Sequence, residues 1–202
     1  GDKDFKANTR SHTSVIDAIA KSGEKHAAKR AEQILNNMIS TYEETGDPDI
    51  KPNVHTANAV CNVRSYLIFY FSQVVQFASS FSQFSLLSNL PLNPQACAFT
   101  RINDDRGEAL QIAFRVFDWL EAQPDMEPDA YTFTILLSVC ANLLPREDQQ
   151  TRYSHAKAFF DKCRSSGHVN DYELRKLRQA VTEEEYFLLV EQGGHLSSSS
   201  SY

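Results

Sequence analysis

The chain has 202 residues, of which 42% are hydrophobic and 23% charged, which excludes a wholly disordered protein and suits one domain of ordinary size. Its formal net charge is −6, so any nucleic-acid ligand would have to be held by a local basic surface. The four cysteines lack zinc-ligand spacing, and only seven glycines and seven prolines interrupt the chain, which favours long helices over a turn-rich β-sandwich.

Self-similar stretches, each a polar turn followed by an apolar run, recur along the chain. The chain begins with Gly rather than Met, and we expect residues 1–8 to be the edge of a truncated repeat array. The similar stretches start at Lys6 (KANTRSHTSVIDAIAKSGE), Lys51 (KPNVHTANAVCN) and Glu127 (EPDAYTFTILLSVCAN), with a degenerate fourth at Val169 (VNDYELRKLRQAV). Such periodicity predicts stacked copies of one supersecondary unit.

A second amphipathic stretch follows each of the first three turns. Ala31, Ala113 and Ala156 each precede three apolar residues at positions i+3, i+4 and i+7, which is the spacing of one helix face. Those residues are Ile34, Leu35 and Met38, then Val116, Phe117 and Leu120, then Phe159, Phe160 and Cys163. Each unit is therefore predicted to be helix–turn–helix, and the fold all-α.

The predicted architecture is an α-solenoid of stacked antiparallel helical hairpins, with about three repeats and a C-terminal helix. Its predicted parts are repeats at 9–53, 54–129 and 130–171, a terminal helix at 172–192 and a disordered serine-rich tail at 193–202. Longer loops are predicted at GDPDIKPN, TRINDDRGE and LLPREDQQ.

Residues 63–95 form an insert in the second repeat. The turn positions Ala7, Pro52, Pro128 and Asn170 lie 45, 76 and 42 residues apart, and removal of the 33-residue insert would shorten the middle interval to 43. It would also join NAVCN to ACAFT in one first helix. A membrane span, a genuine loop and a translated intron are the three interpretations. The intron is favoured because the insert begins with Val63, whose codons start with GT, and ends with Gln95, which can be encoded by CAG. These bases match the usual two ends of an intron, so we assign the insert no function.

The starts of the first helices carry a family resemblance. The residues are HTSVID from His12, ANAV from Ala57 and YTFTIL from Tyr131, and Pro-Asn or Pro-Asp recurs at Pro52 and Pro128. This pattern resembles the pentatricopeptide repeat family over roughly residues 6–181, apart from the insert. In that family stacked hairpins bind single-stranded RNA and read one base per repeat.

The resemblance implies three base-reading pairs, each combining a residue near the start of a first helix with the last residue of its repeat. They are Thr13 with Asn53, Asn58 with Asp129, and Thr134 with Asp171, and the family pattern implies adenine, uracil and guanine respectively. Lys25, Lys29 and Arg30 form a basic patch and are candidate phosphate contacts. The structural alternatives are helix capping for the pairs and a solvated charged face for the patch.

The chain contains no glycine-rich phosphate loop, GxSxG, HExxH or Cys–His arrangement of known spacing, so we expect no enzyme, metal site or cofactor. The expected function is a sequence-selective single-stranded RNA-binding module in organellar RNA processing, stability or translation. The resemblance implies a mitochondrion or plastid, with other RNA-processing proteins as further partners and with no DNA or membrane partner. A protein-binding helical-repeat scaffold and the RNA-binding portion of a repeat-containing nuclease are the alternatives.

Overall fold

Eight α-helices and one 3-10 turn make up the regular structure that the computed structural model describes. It describes residues 6–22, 24–62 and 94–194, and for 94–105 and 192–194 the backbone alone. The helices are α1 (Thr9–Ser22), α2 (Ala27–Thr45), α3 (Val54–Cys61), α4 (Pro94–Glu121), α5 (Ala130–Leu143), α6 (Gln149–Ser165), α7 (Asp171–Ala180) and α8 (Glu183–Gly194), and the 3-10 turn is Pro48–Ile50. The described part is therefore all-α, as predicted.

The odd-numbered helices begin at equivalent capping residues, Asn8, Asn53, Asp129 and Asn170. The side-chain oxygen of each accepts a hydrogen bond of 2.7–3.0 Å from a backbone N–H in the first turn. Such a bond satisfies one of the N–H groups that a helix start leaves without an intrahelical partner. The polar turns of the sequence are thus the starts of α1, α3, α5 and α7.

Helices pack both on the next helix and on the helix two positions along. The pairs α1–α2, α3–α4, α5–α6 and α7–α8 are in contact, and so are α1–α3, α3–α5, α5–α7 and α2–α4. Between α4 and α6, the ring centroids of Phe114 and Phe117 lie 5.6 Å and 5.4 Å from that of Phe159. The odd helices therefore contact one another in chain order, and the even helices lie beside them.

The predicted apolar positions of α2, α4 and α6 form the core. They are buried, apart from Ile34, which is partly buried against the same cluster. One cluster joins α1 to α5 around Leu35 and Ile112, and a second joins α4 to α8 around Phe133 and Leu177. The prediction that these positions line one apolar face of each second helix is confirmed, and Phe117 contacts Phe133 and Phe159 of the following two helices.

One expectation about the middle of the chain was wrong. TRINDDRGE, residues 100–108, lies inside the 28-residue helix α4 rather than in a loop. No proline occurs between Pro94 and Glu121, and the helix tolerates Gly107 because a mid-helix glycine costs only about 1 kcal/mol. ACAFT also lies in α4, and α3 has 8 residues where α1 and α5 have 14. The joining of NAVCN to ACAFT is predicted for a chain without residues 63–95 and stays a prediction.

The insert lies mainly outside the described residues. Its last two residues, Pro94 and Gln95, begin α4.

The terminal helix predicted at 172–192 is two helices, α7 and α8. Val181 and Thr182 separate them, and Val181 has an extended backbone. Thr182 and Glu185 exchange hydrogen bonds of 2.9 Å and 3.4 Å in a capping box that starts α8. The TEEE sequence is thus a helix start, and the last unit is also a helix pair.

Candidate nucleic-acid interface

The three first-helix candidates occupy one equivalent position. Thr13, Asn58 and Thr134 each stand five residues after the capping residue of their own helix. In each case the side chain reaches the start of the next odd helix, so the contacts run from α1 to α3, from α3 to α5 and from α5 to α7. We call this set of contacts the polar ladder.

The middle contact joins the predicted pair directly. Nδ2 of Asn58 donates a 3.3 Å hydrogen bond to Oδ1 of Asp129. The same carboxylate oxygen accepts bonds of 2.8 Å from the backbone N–H and from the hydroxyl of Thr132. Asn58 is only 2% exposed, and among the described residues no group donates a hydrogen bond to its Oδ1.

Asp129 is an anion stabilised by these donors. Burial by itself would raise its pKa, but the hydrogen bonds from Thr132 and Asn58, with a smaller contribution from nearby His55, hold the pKa below its ordinary value. The ladder therefore carries a negative charge at its centre, next to the amide of Asn58.

The first contact joins the predicted pair through an intermediate. The hydroxyl oxygens of Thr13 and Thr56 lie 2.9 Å apart, and Thr56 donates a 3.1 Å hydrogen bond to Oδ1 of Asn53. Thr56 is fully buried, whereas Asn53 is exposed. Thr13 and Asn53 thus lie on one hydrogen-bonded chain of side chains, with Thr56 between them.

The third contact differs from the prediction. Thr134 donates a 2.7 Å hydrogen bond to Oε1 of Glu173, and Oε2 of Glu173 accepts a 3.2 Å bond from the backbone N–H of Asn170. Asp171 is instead the first residue of α7 and is exposed. By capping position, Asn170 rather than Asp171 corresponds to Asn53 and Asp129. The sequence N-D-Y-E, an N-cap residue followed three positions later by Glu, is the signature that identifies Glu173.

A row of exposed side chains beside the ladder was missed in the sequence. Arg10, His55, Tyr131 and Tyr172 each stand two residues after a capping residue, and all four are exposed. Tyr131 and Tyr172 are each 48% exposed, and Nδ2 of Asn62 donates a 3.2 Å hydrogen bond to the Tyr131 hydroxyl. The guanidinium carbon of Arg175 lies 5.1 Å from the ring centroid of Tyr172. In the sequence, this row is identified by planar side chains that recur two residues after each capping residue.

The phosphate candidates lie elsewhere. Lys25, Lys29 and Arg30 are exposed near the connection between α1 and α2. Ser22, the last residue of α1, lies nine residues after Thr13, which corresponds to a rise of about 13.5 Å along the helix. Arg30 forms an ion pair with Glu24, and Nζ of Lys29 lies 4.0 Å from Glu108. This basic patch is therefore at the opposite end of the first hairpin from the ladder.

Other kinds of site find no support in the part of the chain that is described. In that part, no three His, Cys, Asp or Glu side chains are grouped so that they could hold a metal ion. No helix within it is long and apolar enough to cross a membrane. No protein-family model matches the chain, and no curated protein matches it in sequence.

Proposed function

We propose that the chain is a short α-solenoid that binds single-stranded RNA with sequence preference, in the manner of pentatricopeptide repeats. The observation that carries the proposal is the polar ladder, in which one position of each odd helix faces the start of the next. Thr13, Asn58 and Thr134 repeat this arrangement three times along the chain. Equivalent polar groups at successive repeats suit a ligand that itself repeats, as a single strand of nucleotides does.

The chemistry of the middle contact supports a base edge as ligand. A buried acceptor without a donor destabilises a protein by about 1–3 kcal/mol, and Oδ1 of Asn58 is such an acceptor among the described residues. The N3–H group of uracil is a donor that would satisfy it. The pKa of Asp129 lies below its ordinary value, so its carboxylate is charged. It orients the Asn58 amide by accepting a hydrogen bond from Nδ2.

The exposed row supplies a second element of recognition. Bases stack on aromatic side chains, and one such stack is worth about 1–3 kcal/mol. His55, Tyr131 and Tyr172 stand three residues before the ladder position in their helices, so a base stacked on them lies close to the ladder. Because Asn58 is 2% exposed, a base reaches its amide only when the side chains that cover Asn58 move aside.

The family pattern, applied to the capping register, assigns preferences to the pairs. Thr13 with Asn53 favours adenine, and Asn58 with Asp129 favours uracil. The third contact pairs Thr134 with Glu173, whose carboxylate accepts hydrogen bonds and suits a base edge that donates them. We propose no catalytic step, and place the protein in organellar RNA processing, stability or translation.

A protein-binding scaffold is the second candidate, and one observation favours it. Asp47, Asp49, Asp125 and Glu127 lie in the connections that precede α3 and α5, next to the ladder. Lys51 already forms an ion pair with Asp125, which shows that this region can hold a cationic side chain. A basic peptide would suit these carboxylates.

A binding panel separates the two candidates. The chain is titrated against labelled oligoribonucleotides of matched length, one rich in uracil, one in adenine and one in cytosine, and against a Lys/Arg-rich peptide, with fluorescence anisotropy as the readout. RNA binding that differs between the sequences supports the proposal. Peptide binding without RNA binding would support the protein-binding scaffold instead. Equal affinity for all RNAs would contradict sequence-specific recognition of bases.

A further inference from the structure

An apolar groove lies on the first hairpin. It has a volume of about 420 Å³ and is lined by Ser14, Val15, Ala18, Ile19, Ser22, Glu24 and Arg30. Val15 is 50% exposed, whereas Ile16, Ile19 and Ala20 form the buried face of α1 that packs against α2 and α3. The small side chains of Ser14, Ala18 and Ser22 leave room for a larger apolar side chain to enter.

The last helix carries apolar side chains that are large enough to fill such a groove. Phe187 and Leu188 on α8 are each 51% exposed, although their neighbour Leu189 is buried and anchors the helix on the second core cluster. Val15 and Phe187 thus lie at opposite ends of the series of described helices, in α1 and α8.

The charges around these two surfaces are opposite. Glu24 and Arg30 line the groove and form an ion pair with each other, and Lys29 lies 4.0 Å from Glu108. The adjoining segment adds the exposed Lys21 and Lys25, so this end of the first hairpin is basic on balance. Helix α8 has Glu183, Glu184, Glu185 and Glu191 and contains neither Lys nor Arg. Two copies of α8 would therefore repel each other, as would two copies of the basic end, whereas α8 and the groove attract.

We propose that α8 of one copy docks into the α1–α2 groove of a second copy, with Phe187 and Leu188 entering the groove beside Val15. The charge pattern selects this head-to-tail contact over a symmetric one. In such a pair the groove of the first copy and α8 of the second copy stay open, so association continues beyond the dimer. This inference does not depend on RNA binding.

The test uses two variants that each block one surface. Val15→Glu places an acid in the groove, and the double variant Phe187→Ser with Leu188→Ser removes the apolar residues from α8. The parent should increase in mass with concentration in light scattering or sedimentation velocity. Each variant alone should remain monomeric, but an equimolar mixture should form a species of two chains, because one intact groove and one intact α8 remain.

Controls separate this contact from nonspecific association. Asn37→Glu adds an acid, as Val15→Glu does, at an exposed site of α2 that is not part of the groove lining, so it should assemble as the parent does. Circular dichroism checks that each variant keeps its helices, and added salt should weaken assembly of the parent. A parent that stays monomeric would overturn the proposal, and so would variants that still assemble or a mixture that stays monomeric.

Discussion

The hydroxyl of Thr134 on α5 donates a 2.7 Å hydrogen bond to the carboxylate of Glu173 on α7, and both side chains are buried. Glu173 is 2% exposed, and its second oxygen accepts from the backbone N–H of Asn170. A buried carboxylate is stable only when its oxygens are paired, so this residue couples the cap of α7 to the preceding odd helix.

Replacement of Glu173 should therefore destabilise the fold. Glu173→Ala leaves the Thr134 hydroxyl and the Asn170 N–H without this acceptor, and the free energy of unfolding should fall by about 1–3 kcal/mol. Urea denaturation followed by circular dichroism measures the change. The exposed Glu184 provides the matched control, since Glu184→Ala should change stability by less than about 0.5 kcal/mol. Equal effects of the two substitutions would contradict a structural role for Glu173.

Phe117 should be one of the most sensitive positions of the core. It is 2% exposed, and its ring meets Phe133 and Phe159 edge-on at centroid distances of 6.4 Å and 5.4 Å. Phe117→Ala should lower the free energy of unfolding by about 3–5 kcal/mol, because it leaves a cavity between hairpins. Phe187→Ala, at a half-exposed site, makes the same chemical change and should have a much smaller effect. A Phe117 variant as stable as the parent would show that α4 and α6 pack differently.

The low pKa of Asp129 predicts a specific pH dependence. Its pKa in the folded chain lies below the ordinary value of 3.8, so its stabilising contribution is complete above that value and is lost as pH falls through the folded pKa. Asp129→Asn keeps an acceptor for Thr132 but cannot titrate. The difference in unfolding free energy between parent and variant should therefore be largest well above pH 3.8 and should shrink as pH falls through 3.8 towards the lower folded pKa. Urea denaturation across this range measures the difference, and a constant difference would exclude Asp129 as its source.

The core of this protein is more predictable from sequence than its connections. Phe117 and Leu35 follow a helical spacing that depends on local periodicity alone, so their burial could be read from the sequence. The length of α4 depends on whether the polar segment TRINDDRGE, which contains Gly107, is helical. Apolar periodicity cannot predict this, because the segment has too few apolar residues. Glu173 was missed because a capping residue and its neighbour, Asn170 and Asp171, look alike until the helix start is fixed.

The function of the ladder is tested most directly at Asn58. If its amide reads uracil, Asn58→Ala should weaken binding to a uracil-containing RNA by about 1–3 kcal/mol, the scale of a good base contact. Binding to an RNA already mismatched at that base should hardly change, since no contact is left to lose. Anisotropy titrations of parent and variant with both RNAs, at one salt concentration, provide the four affinities that are needed.

Two further substitutions distinguish base reading from other causes of weaker binding. Asn37→Ala changes the same residue type at an exposed site on α2 and should leave all four affinities unchanged. Lys29→Ala removes a charge from the basic patch at the far end of the first hairpin; if that patch contacts phosphate, it should weaken both RNAs equally and reduce the salt dependence. Equal losses on matched and mismatched RNA after Asn58→Ala would make Asn58 a structural residue, because a residue that only holds α3 against α5 cannot distinguish one base from another.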